Sequence, residues 1–164
     1  MDALPILSVR DLRVTFKSAS GLNEVLHGIS YQLYANEILG IVGESGSGKS
    51  VASLAVMGLL PLKSGVTISG EIIFNSDNVI DYSQKQLETI RGRKIAMIFQ
   101  EPMSALNPSI CCGKQVEEIL LQHSCITKKE AKEEVIRLFS AVKIPEAKTT
   151  YKKYPHEISG GQQQ

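Results

Sequence analysis

The chain contains no tryptophan and only four phenylalanines and five tyrosines in 164 residues. A core therefore has to come from aliphatic side chains, and 43% hydrophobic content supplies enough of them for one ordinary domain. Charge of one sign is lacking too. The formal net charge is +1, so the overall balance makes no case for nucleic acid as a partner. The Lys-rich stretch from Lys128 to Lys132 is offset by Glu130, Glu133 and Glu134, which makes it a solvated helix face. No window approaches the roughly 18 apolar residues of a membrane span. The opening MDALPILSVR has neither the basic n-region nor the long apolar run of a secretory signal, so a cytoplasmic location is expected. Cysteine is scarce: Cys111, Cys112 and Cys125 form no CxxC pair, which excludes a disulfide framework and predicts reduced, mostly packing residues. A zinc site would need His or Cys partners at metal spacing, and none is evident.

What is present is a change of period along the chain. LSVRDLRVTF and the segment beginning VLHGISYQLY alternate apolar and polar residues, predicting half-exposed antiparallel strands. The apolar run Ile38 to Val42 predicts a strand buried on both faces, as in a parallel sheet. In KSVASLAVMGLLP, Val51, Leu54, Ala55 and Gly58 fall at helical spacing until Pro61 ends the pattern. GEIIFNSDNVI predicts a strand with a turn, SQKQLETIRG a short helix, and KIAMIF a second buried strand. From about Pro108 helical periodicity takes over in GKQVEEILLQHS and TKKEAKEEVIRLFSAVKI. The second of these opens with Thr127 and Glu130 at capping-box spacing. The order predicts an α/β body, residues 1–101, carrying a helical region over roughly 102–155. No internal repeat or low-complexity tract interrupts it.

GESGSGKS, Gly43 to Ser50, fits G-x-x-x-x-G-K-[ST] and lies after the predicted strand and before the predicted helix. Gly43, Gly46 and Gly48 let the backbone curl so that successive N–H groups face phosphate oxygens. Glu44, Ser45 and Ser47 complete the loop. The following helix adds its positive end, Lys49 reaches the β- and γ-phosphates, and the Ser50 hydroxyl ligates Mg²⁺. This pattern predicts nucleotide binding, with ATP and Mg²⁺ as ligands, but does not by itself choose among P-loop families.

Two further stretches choose. MIFQEP looks like a Q-loop and ISGGQQQ like the signature usually written LSGGQ, so the chain resembles the nucleotide-binding domain of ABC transporters. RGRKIAMIFQEPMSALNP and YPHEISGGQQQ closely resemble the oligopeptide and dipeptide importer branch. The resemblance implies a P-loop NTPase fold: an antiparallel β subdomain, a partial parallel core sheet and a helical subdomain, with the signature at 158–164. It implies that Phe16 stacks on adenine. It further implies that Gln100 contacts Mg²⁺ or the attacking water and senses the membrane partner. Ser159, Gly160, Gly161 and Gln162 would press on the γ-phosphate held by an opposite subunit. His156 precedes the signature and is a structural residue, not the family's switch histidine. Ile158 stands where Leu is usual, a mild apolar exchange.

The implied partners are membrane permease subunits, a second ATPase subunit in a head-to-tail dimer and, indirectly, a solute-binding protein. The implied location is the inner face of the cell membrane. A complete domain of this kind continues past the signature into an apolar strand ending Asp-Glu, the Walker B carboxylates, which these residues do not include. The expectation is therefore an N-terminal portion of an ATPase subunit that energises peptide uptake. On that expectation the 164 residues alone lack the base for hydrolysis and do not turn over ATP, and Ile38 to Val42 is left with unpaired edges and exposed faces. Two alternatives stay open: a catalytically inactive truncated remnant, and an ABC ATPase serving another small solute such as nickel.

Overall fold

The computed structural model describes residues 4–19, 21–61, 65–99 and 105–163. The chain divides into two compact units, residues 1–91 and 92–164.

The first unit is built on an antiparallel sheet. Its strands are β1 (Leu7–Ser18), β2 (Gly21–Leu33), β3 (Val66–Phe74) and the short β4 (Asp77–Asn78), in the spatial order β2-β1-β3-β4. The alternation in the sequence is the alternation of the pleat. Val9, Leu12, Val14, Leu26, Val66 and Ile72 turn inward and are buried, while Arg10, Arg13 and Glu24 turn out. The register of β1 with β2 shifts at Val9/Leu12, Leu12/Arg13 and Val14/Thr15, and its register with β3 jumps between Arg10 and Arg13, where Asp11 takes a left-handed φ of 42°. This is a β-bulge, and it brings the backbone of Asp11 close to Gly70 of β3. Gly70 has φ 94°, and a Cβ there would lie 2.6 Å from the Arg10 carbonyl oxygen, so no other residue fits. The helix α1 (Lys49–Val56) buries Ala52, Ala55 and Val56. Arg91 closes the far end of α1, its Nε donating to the Met57 carbonyl at 2.8 Å and its Nη2 to the Gly58 carbonyl at 2.5 Å. A guanidinium on these carbonyls complements the negative end of the helix. A turn at Val79–Asp81 leads to α2 (Gln84–Ile90), whose Ser83 and Gln86 form a reciprocal capping box.

The second unit is helical: α3 (Cys112–His123), α4 (Lys128–Ala141), α5 (Ala147–Thr150), a turn at Pro155–Glu157 and α6 (Gly160–Gln163). Thr127 and Glu130 form the capping box expected at the start of α4, with Thr127 N–H donating to Glu130 Oε2 at 2.7 Å. Cys112, Val135, Phe139 and Tyr151 form the core of this unit, with Val116, Ile144 and Ile158 packed around them. Burial pushes the Cys112 thiol pKa upward, as expected of a packing cysteine. Of the three cysteines read as mostly packing residues, Cys112 is buried, Cys111 is half-buried and Cys125 is exposed.

The two apolar runs expected as buried strands differ from that reading. Among the described residues neither 38–42 nor 96–99 belongs to a strand ladder. Ile38 is 96% exposed, Val42 95% and Ile98 84%. The sequence carries the composition of a strand covered on both sides, but a strand exists only through its neighbours, and the one sheet described here does not include these segments. The unpaired, exposed condition anticipated for Ile38 to Val42 is the one observed.

Candidate functional site

The loop 43–50 is shaped by what its glycines avoid. Gly48 sits at the N-cap of α1 with φ 88°, a conformation that side chains resist, and a Cβ there would lie 2.6 Å from Leu26 Cδ2. The helix therefore starts hard against β2. A Cβ on Gly43 would come within 2.7 Å of Ser47 Oγ, so a side chain at position 43 would make the Ser47 hydroxyl turn away. Ser47 N–H donates to the Glu44 carbonyl at 3.2 Å, which sets the turn. No side chain caps α1 and its first turn holds no acidic residue, so the N–H groups of that turn are free for an external acceptor.

Lys49 folds back over this loop. Its Nζ donates to the Gly43 carbonyl at 2.7 Å, the Glu44 carbonyl at 2.6 Å and Ser47 Oγ at 3.3 Å. The ammonium thus stands over the mouth of the concavity, beside the free helix terminus. Ser50, the next residue, is exposed on the first turn. Glu44, Ser45, Gly46 and Ser47 are likewise exposed. An anion with several oxygens could meet backbone donors, a helix terminus and a point positive charge here together.

Beside the loop lies a groove of about 420 Å³ lined by Leu26, Ile29, Tyr31, Leu39, Ile41 and Val42 among others. Burial raises the Tyr31 phenol pKa. Sequence reading singled out the run Ile38 to Val42 but not the β2 side of this wall, although Ile29 and Tyr31 fall two apart on β2 and so share a face. Phe16 is half-buried on β1, opposite Asn23 of β2 and Val66 of β3. Gln100 lies outside the described residues.

The signature segment belongs to the second unit. Ser159 N–H receives the Gln162 side chain, donating to its Oε1 at 3.1 Å, and the Ser159 carbonyl accepts from the N–H groups of Gln162 and Gln163 at 2.9 and 3.0 Å. These bonds start α6. Gln163 Nε2 reaches back to the carbonyls of Pro155 and Ile158, at 2.7 and 3.3 Å. Ser159, Gly160 and Gly161 are exposed. A Cβ built on Gly160 or Gly161 would meet nothing within 4 Å, and neither has a positive φ. Among the described residues nothing requires glycine at these two positions. His156 stacks on Tyr154 with ring centroids 5.7 Å apart, in keeping with a structural part.

A side-chain cluster that the sequence did not announce lies next to this segment. Glu117 of α3 is only 4% exposed, and it accepts hydrogen bonds from the Tyr151 hydroxyl and from Lys114 Nζ, the latter at 3.0 and 3.1 Å. The Tyr151 hydrogen bond, assisted by Lys114, holds the Glu117 carboxyl pKa below the usual carboxylate range. Among the described residues no group of three or more His, Cys, Asp or Glu is placed to hold a metal ion. No described helix is long and apolar enough to cross a membrane.

A family model described as ABC transporter matches residues 26–164. The chain is 42% identical over 159 residues to the oligopeptide transport ATP-binding protein OppD of Bacillus subtilis, covering 97% of this chain and 44% of that protein. It is 45% identical to the dipeptide transport ATP-binding protein DppD of the same organism, covering 97% and 48%. It is also 45% identical to OppD of Salmonella typhimurium, covering 97% and 47%. Among solved structures, the dimeric form of MJ0796, a bacterial ABC transporter cassette, superposes with a TM-score of 0.80 at 22% identity, covering 96% of this chain and 65% of that one. The same cassette in a post-hydrolysis state bound to ADP and Pi gives 0.78. At such identity the likeness is one of fold, and the antiparallel sheet with its helices is that of the N-terminal part of an ABC ATPase cassette. The chain belongs to the ABC transporter family. It spans about half the length of the curated relatives it matches.

Proposed function

We propose that the chain is the nucleotide-binding, N-terminal part of an ATP-binding subunit that energises import of peptides. The observation that carries the reading is the loop 43–50, with its bare glycines, an uncapped helix behind it and Lys49 drawn across its mouth. The relatives named for oligopeptide and dipeptide transport, at 42 to 45% identity, favour peptide as the cargo.

In this reading ATP places its β- and γ-phosphates against the first turn of α1. Lys49 exchanges two carbonyl partners for phosphate oxygens, a charge-assisted contact in place of neutral ones. Ser50 Oγ takes one position on Mg²⁺, which, when bound, offsets the charge of the phosphates; such an ion is ordinarily held by few protein groups plus phosphate oxygens and water, and the exposed Ser50 hydroxyl fits that role. Phe16 stacks on adenine, and Gln100 acts at the metal or the attacking water.

Ser159, Gly160, Gly161 and Gln162 serve the nucleotide of a second ATPase subunit packed head to tail. Two glycines for which the described residues have no steric use make sense where an external phosphate must approach the backbone closely. The assembly docks on permease subunits at the inner face of the membrane and acts with a solute-binding protein.

Equilibrium titration of the purified chain with Mg-ATP tests the reading. Saturable binding is expected, weakened about tenfold to a hundredfold by Lys49→Ala, the loss of one hydrogen-bonding charged partner. Equal affinity in the two proteins contradicts the reading.

A further inference from the structure

Helix α3 begins without a side-chain cap, since its N-cap residue Cys111 supplies none. Its first N–H groups are satisfied from far along the chain. Cys112 N–H donates to the Lys153 carbonyl at 2.8 Å and Gly113 N–H to the Tyr151 carbonyl at 3.0 Å. The stretch 151–153 therefore caps α3, and it runs directly into Tyr154-Pro155-His156-Glu157-Ile158-Ser159.

Side chains reinforce the same joint. The Tyr151 ring lies against Gly113, which is buried, so closely that any Cβ there would overlap it. One turn further along α3, Glu117 accepts the Tyr151 hydroxyl. Lys114 Nζ completes the carboxylate's partners, and Lys132 Nζ stands 5.5 Å over the ring. A buried carboxylate without partners is costly, so this pairing resists partial opening. Beyond the joint, Tyr154 N–H donates to Glu157 Oε2 at 2.7 Å, and Ile158 packs on the core cluster that contains Tyr151.

We propose that Tyr151 and Glu117 are positioning residues for the signature: their hydroxyl–carboxylate bond, with the two backbone bonds at the start of α3, fixes residues 154–163 on α3. A displacement of α3 then carries Ser159 and Gly160 with it. What the signature meets rests on the function proposed above, whereas the joint itself is independent of it.

Amide residual dipolar couplings and order parameters of the 164-residue chain test the joint. In the unaltered chain the couplings of 155–163 fit one alignment together with α3 and α4. Tyr151→Phe keeps the ring on Gly113 and removes only the hydroxyl. In this variant the couplings of 155–163 should leave that fit, and their order parameters should fall from about 0.85 toward 0.6, while α3 and α4 still fit together. Glu117→Gln can still accept the hydroxyl and should show a smaller change in the same residues. Mg-ATP affinity at the P-loop should stay within about twofold in both, because site and joint lie in separate units. Unchanged couplings in 155–163 in both variants would overturn the proposal, and so would loss of the fit across α4, which marks plain core packing. Failure of the unaltered chain to bind Mg-ATP would count against the proposed function and leave this result readable.

Discussion

At the scale of single residues, glycines divide into those the chain needs for itself and those it does not. Gly48 needs its left-handed φ and its missing Cβ, which Leu26 would otherwise meet. Gly48→Ala should therefore destabilise the first unit, by about 1–3 kcal/mol for strain of this kind. Gly160 meets nothing, and Ala in place of a helical glycine is favourable by up to about 1 kcal/mol. Gly160→Ala should leave thermal stability unchanged or slightly raised and, on the function proposed above, abolish the nucleotide-dependent pairing of subunits that function entails. A melt on each variant with sizing in Mg-ATP separates the two cases, and a large loss of stability in Gly160→Ala would contradict the division. The glycine loop 43–50 was legible in the sequence because the left-handed φ of Gly46 and Gly48 calls for glycine at those positions. The bond between Glu117 and Tyr151 was not, since it joins residues 34 apart whose meeting depends on how helices pack.

At the scale of elements, local rules carried well where the element supports itself. The alternation of β1 and β2 and the capping box of α4 appear where sequence reading put them, whereas the capping box of α2 was not singled out there. The run Ile38 to Val42 failed to form its strand because a ladder is a property of a pair, and apolar composition names no partner. Joints between elements bring a titration with them. Glu117, facing Tyr151, Lys114 and the charge of Lys128, has its pKa lowered by folding. A depressed folded pKa stabilises above the unfolded value, ordinarily about 4.3 for Glu, and that stabilisation is lost as pH falls through the folded value. Denaturant unfolding followed from pH 6 down to 3 should show the second unit weakening at the acid end, with a shallower slope in Glu117→Gln. Identical slopes would contradict the assignment.

At the scale of the molecule, the chain belongs to the ABC transporter family and matches about half of each curated relative. The exposed faces of Ile38, Val42 and Ile98 and the apolar groove beside the P-loop are surfaces of the kind that in a folded protein are ordinarily covered. On the proposed function the loop 43–50 receives the phosphates of ATP, and among the described residues no group of three or more His, Cys, Asp or Glu is placed to hold a metal ion. The central claim is that phosphates of ATP sit on the first turn of α1. Amide spectra of the isotope-labelled chain, recorded as Mg-ATP is added, test it most directly. The signals of Gly46 to Ser50 should move to saturation with Mg-ATP and hardly at all with AMP, which lacks the β- and γ-phosphates. Signals that stay still, or that move equally with AMP, would contradict the account.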